Sequence, residues 1–135
     1  MSASPAPFFR IVLLLAMLAL AACSDPRSNS ISRLRSADAT ELRAEAAGLY
    51  KRLFPAAGPS FVPVQPELWP VPLMKLRPLR MNLYRDGLAV SLQARPGLEY
   101  GLHIIPPGVA DDLKSTDRTQ YEKLQEGIYY FTQKR

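Results

Sequence analysis

Two side chains stand alone in this sequence and limit its chemistry before any fold is considered. Cys23 is the only thiol and His103 the only imidazole among 135 residues. One cysteine cannot close an intrachain disulfide, and one Cys with one His leaves too few ligands for a zinc centre, which usually draws most of its three or four from those types. His103 has no Gly-x-Ser-x-Gly nucleophile to serve. Its nearest same-face carboxylate, Glu99, lies four residues back at about 13 Å, beyond a direct hydrogen bond, so a surface or edge position is expected for the ring rather than a catalytic role. Asp111, Asp112 and Asp117 offer hard oxygen ligands. Counted from Asp112, however, Lys114 and Thr116 stand where a calcium loop needs Asp or Asn, and the sixth position is not Gly. No Gly-rich phosphate loop is present, and no metal or other cofactor is expected.

The remaining chemistry is electrostatic. Lys and Arg number 17 against 12 Asp and Glu, and the pI is near 9.6. Arg77, Arg80, Arg85 and Arg95 cluster in sequence around Tyr84, a basic and aromatic mixture suited to an anionic surface. Arg77, Arg80, Tyr84 and Arg85 are the candidate contact residues, and which anion they would meet depends on the compartment.

The N-terminus sets that compartment. Arg10 precedes an uninterrupted 12-residue apolar run, 11–22. As a helix that run spans only about 18 Å, well short of a ~30 Å hydrocarbon core, so it has the form of a signal peptide. Leu20-Ala21-Ala22-Cys23 closes it, and with these residues the leader resembles that of bacterial lipoprotein precursors, matching their lipobox at every position. The resemblance covers the leader alone. It implies diacylglyceryl transfer to the Cys23 thiol, cleavage after Ala22 and often acylation of the new amine. Ser24 rather than Asp after the cysteine implies the periplasmic face of the outer membrane. Two or more acyl chains anchor stably where one is marginal, and such a setting argues against nucleic acid as a partner.

Three segments are expected: a signal peptide 1–22, a lipidated Cys and Ser-rich flexible tether 23–35, and one small domain 36–135. Within the domain, Leu42, Ala46, Leu49, Tyr50 and Leu53 repeat on one helical face over 38–54, with Asp38 as cap and Pro55 as stop. Seven prolines in 55–78 exclude a long helix or central strand there, leaving extended coil and a short turn opened by Pro70. Asp86-Gly87 between two alternating runs predicts a two-residue hairpin with Arg85 opposite Leu88, Leu83 opposite Val90 and Met81 opposite Leu92. A third strand is expected over 98–105, a helical turn around Tyr121 and Leu124, and a last strand over 128–132. One side of Tyr129-Tyr130-Phe131 would lie under the 38–54 helix.

The expected fold is α+β, an N-terminal amphipathic helix on a small, mainly antiparallel sheet of three to four strands. The expected function is a non-catalytic accessory or binding module of the cell envelope, engaging the membrane through Cys23 and an envelope protein or anionic polymer through its basic face. The alternative is a small-ligand receptor or enzyme with a pocket near Trp69 and Tyr100. Replacing the thiol tests the leader directly: Cys23→Ser should abolish incorporation of labelled acyl chains and membrane retention, and acyl label on the mutant would refute the anchor.

Overall fold

The computed structural model describes residues 25–54 and 58–135; the expected signal peptide 1–22, Cys23 and Pro55 lie outside the described residues. The first difference from expectation comes at once. The Ser-rich run expected as a tether is helix α1 (Pro26–Arg35). The Asp25 carboxylate caps it, accepting from the Ser28 N–H at 3.4 Å and the Ser28 hydroxyl at 3.0 Å. Pro26 opens it at a position where a missing N–H does no harm. Its buried residues are Pro26, Ser30 and Leu34, so aliphatic burial is slight and polar contacts fix it. Arg27 grips Glu122 through two hydrogen bonds of 2.7 Å, Asn29 donates to Gln93 at 3.3 Å, and Arg33 donates to the carbonyls of Leu76 and Arg77.

Helix α2 (Ala39–Leu53) follows, and it is therefore not the first helix of the domain. Its start is as the sequence predicts, with Asp38 accepting from the Thr40 and Glu41 N–H groups, and Leu42, Ala46 and Leu49 are buried.

Both helices cover one face of an antiparallel sheet of six strands, where three to four were expected. In chain order the strands are β1 (Phe61–Val64), β2 (Arg80–Tyr84), β3 (Gly87–Arg95), β4 (Leu98–Ile104), β5 (Thr119–Gln125) and β6 (Ile128–Lys134), and across the sheet they run β1-β2-β3-β4-β6-β5. β1 comes from the Pro-rich stretch, which is compatible with a strand because β1 is an edge. β5 replaces the expected helical turn. Tyr121 and Leu124 are three residues apart, which reads as one side of a helix but as two sides of a strand, and here each packs in a different layer. The turn opened by Pro70 is helix α3 (Val71–Met74), with Leu73 and Leu76 buried as core residues.

The β2-β3 hairpin forms two residues out of the expected register. Tyr84 pairs with Gly87, Leu83 with Leu88 and Met81 with Val90, so the turn is Arg85-Asp86. A slip by two leaves every side chain on the expected face, because strand alternation has period two. Met81, Leu83, Leu88, Val90, Leu102, Ile104 and Ile128 therefore meet Leu34, Leu42, Ala46, Leu49, Leu73 and Leu76 in one core. Each such buried aliphatic side chain contributes roughly 1.5–3 kcal/mol.

The opposite face is built differently. Its centre holds the small residues Ala89, Ser91 and Gly101, and at Gly101 any Cβ would run into the Val90 carbonyl. β3 has a bulge between Ser91 and Gln93. Small residues and a bulge let the sheet coil, and Tyr84 of β2 reaches across β3 and β4 to hydrogen-bond with Gln133 of β6.

Gly87 lies at φ 141°, and a Cβ there would stand 2.6 Å from the Ile104 carbonyl oxygen and 2.8 Å from His103 Nε2. Gly87→Ala should lower unfolding free energy by about 1–3 kcal/mol in chemical denaturation. Gly48→Ala, inside α2 where an added Cβ meets nothing within 4 Å, should raise it by about 0.5–1 kcal/mol.

Candidate anion-binding groove

The coiled, helix-free face carries the polar chemistry of the domain. Strand alternation places Arg80, Asn82 and Tyr84 of β2, Glu99 and His103 of β4, and Tyr129, Phe131 and Gln133 of β6 on this side. Its aromatic residues form an arc. Phe61 stacks on Tyr84 at 5.5 Å between ring centroids, Tyr84 lies 6.4 Å from His103, His103 meets Tyr121 edge-on at 5.6 Å, and Tyr121 meets Tyr129 at 6.3 Å.

Glu99 is the least expected member. It is 1% exposed, and a carboxylate at that depth requires charged partners. Arg80 and Arg135 supply them. Arg80 donates from Nε to Oε1 at 2.6 Å and pairs through Nη2 with Oε2, while Arg135 donates to Oε2 from Nε at 2.9 Å and from Nη2 at 2.7 Å. Both guanidiniums are about half exposed, so Glu99 fixes one side of each fork and leaves the other side facing out.

What they face is a groove of about 580 Å³, within the range of small-ligand sites. Its lining includes Phe61, Trp69, Arg80 and Tyr84 together with Arg118, Lys134 and Arg135. Two cations are thus set by one buried carboxylate in a groove that two more basic residues also line. Trp69 is held in its wall by its indole N–H, which donates to the Val64 carbonyl at 2.9 Å. Burial, with the charge of Glu99, pushes the Tyr84 hydroxyl above its ordinary range, so it stays a neutral donor or acceptor near neutral pH.

Of the four contact residues expected from sequence, the fold brings only Arg80 and Tyr84 into this groove. Arg77 sits in the loop before β2 with φ 55° and gives its carbonyl to Arg33, and Arg85 lies over the Phe54 ring at 5.4 Å. The pocket expected near Trp69 and Tyr100 is this groove at Trp69, but Tyr100 is not among its lining residues. Tyr100 alternates with Glu99 and faces the helices, whereas Trp69 lines the groove and packs against the edge of the core. The aromatic run is corrected too: Tyr130 projects toward α1, next to Arg27, while Tyr129 and Phe131 are buried on the other face.

His103 is neither at the surface nor on an edge strand. It is 2% exposed in β4, with Nε2 3.2 Å from the Asp86 carbonyl oxygen and 3.3 Å from Asp86 Oδ1. The hydrogen bond with His103 holds the Asp86 carboxyl below its ordinary range. Tyr121 beside the pair is pushed up to about 12, chiefly by burial. The cavity there is about 100 Å³, room for about three waters, and too small for an organic substrate. Of the three aspartates considered for calcium, Asp111 instead pairs with Lys123 at 3.0 Å and accepts the Gly127 N–H at 2.9 Å. Among the described residues, no three His, Cys, Asp or Glu side chains group to hold a metal ion.

Comparison with known proteins gives no match to a family model, a curated sequence or a solved structure.

Removing the two arginines should harm the fold more than removing their carboxylate. Arg80→Ala with Arg135→Ala strands a buried charge at a cost of about 3–5 kcal/mol, whereas Glu99→Gln leaves two half-exposed cations that water can reach, at about 1–2 kcal/mol. Urea denaturation of both variants checks the order.

Proposed function

We propose that the chain is a lipid-anchored protein of the bacterial cell envelope, held at the periplasmic face of the outer membrane through acyl chains on Cys23. In this reading its folded part is a non-catalytic binding module that takes an anionic group in the groove. The observation that carries it is the orientation of Arg80 and Arg135 by the buried Glu99 at one groove that Arg118 and Lys134 also line. An oriented guanidinium loses little freedom when it binds a carboxylate or phosphoryl group, and Phe61, Trp69 and Tyr84 offer flat faces beside the charges. His103 and Asp86 then serve the fold rather than a reaction, locking the β2-β3 turn against β4.

The test uses the full chain in detergent with dextran sulfate as the anionic probe. Arg118→Glu with Lys134→Glu should weaken binding at least tenfold and flatten its dependence on salt, since exposed charges act over a Debye length of about 8 Å at physiological ionic strength. Both residues are exposed and neither anchors Glu99, so far-UV circular dichroism should be unchanged. Equal affinity of wild type and variant would remove the groove as the binding site.

A further inference from the structure

Four of the five exposed large apolar side chains in the described residues fall in one short connection. Leu68, Val71, Met74 and Leu79 all lie between β1 and β2, and they are 45% to 64% exposed. Single exposed apolar residues are ordinary, but four within twelve residues on one small protein mark a surface that meets something apolar. This connection leaves β1 beside Met81 and re-enters the sheet at Arg80, so it wraps the end of the sheet where β2 begins.

The same end carries the cations. β2 and β5 begin there, β3 and β6 finish there, and Arg80, Arg118, Lys134 and Arg135 are thereby gathered next to Leu79 and Trp69. Exposed apolar side chains and Lys and Arg at one end of the sheet, with a half-buried Trp beside them, have the composition of a membrane-interfacial surface.

Helix α1 ties this end to the anchor. Its first turn is fixed there, since Asn29 bonds Gln93 two residues before the end of β3, and Pro26 is buried. Only two peptide steps separate Cys23 from Asp25, a reach of about 7 Å at most. Where a flexible dozen-residue tether would let the domain wander about 20 Å from the surface, a packed helix beginning at Pro26 does not.

We infer that the domain is seated directly on the bilayer that holds its acyl chains. Leu68, Val71, Met74 and Leu79 dip into the interface, and the groove takes the phosphate of an anionic lipid headgroup. This rests on the anchor and groove reading above and names the ligand: a phosphodiester presented in the membrane plane. Bilayer contact then contributes orientation, with the β2-β3 turn and the His103 side pointing away from the lipid.

Trp69 is the chain's single tryptophan and lines the groove, so it reports on this contact without a label. Full-length acylated protein is placed in nanodiscs of phosphatidylcholine, with or without phosphatidylglycerol, each carrying a headgroup-nitroxide lipid. Trp69 quenching should be at least twofold stronger in the phosphatidylglycerol discs. It should fall to the phosphatidylcholine level in Arg118→Glu with Lys134→Glu, and also in Leu68→Ser with Leu79→Ser, which keeps every charge. Quenching that ignores bilayer charge, or that survives in both variants, overturns the seating. The underlying readings fail separately: loss of acyl label from wild type removes the anchor, and loss of dextran sulfate binding removes the groove. A Trp69 response to dextran sulfate in detergent, without dependence on lipid charge, overturns the seating and assigns the groove to a soluble anionic polymer.

Discussion

A carboxylate shut away from water must find cations, and in this domain that requirement at Glu99 organises the helix-free half of the molecule. Glu99 sits on β4, Arg80 on β2 and Arg135 at the last residue, so meeting its demand brings the start of β2 and the C-terminus to the same place. The sheet between them has to coil, which the small residues Ala89, Ser91 and Gly101 permit. The groove is therefore a by-product of satisfying one buried charge, and the same ion pairs that hold its walls aim its donors outward. A hydrophobic residue at Glu99 would pack with less desolvation cost but would leave both guanidiniums without orientation.

The two faces of the sheet solve different problems. Toward the helices, aliphatic residues on alternate positions pack into a continuous core whose members are interchangeable in kind. Away from them, nearly every contact is specific: an arginine on a carboxylate, a histidine on a turn aspartate, rings set edge to face. Helix α1 belongs in character to the second group although it covers the first face, since one leucine and a set of polar bonds hold it.

This division explains what could be read from sequence. The α+β class, helix α2 and the shared face of Met81, Leu83 and Val90 rest on periodicity, which survives even the two-residue change of hairpin register, and the short helix after Pro70 rests on proline opening it. What periodicity does not encode was missed. Helix α1 buries Pro26 and Ser30 rather than an aliphatic stripe, though Asp25-Pro26 is a cap signal that its Ser-rich surroundings obscure. β5 spreads Tyr121 and Leu124 over two layers. Arg118, Lys134 and Arg135 lie far in sequence from Arg80, and only the fold joins them. Glu99 did leave a mark, as the one acid in a strand where Leu98, Tyr100, Leu102 and Ile104 alternate, but its partners come from elsewhere in the fold.

An open sheet has two rims without a neighbouring strand, and each is a template on which another copy could add one. Here both rims are blunted by different means. β1 is four residues long and has Pro63 in the middle, which removes one donor from its outer edge. β5 is irregular between Lys123 and Gln125, and it presents Glu122 and Lys123 at its surface. Short length, proline, charge and a broken register are the features that discourage edge-to-edge growth. If the chain is membrane-anchored as proposed, it meets its own copies in two dimensions far more often than in volume, and guarded rims would let it reach high areal density without polymerising.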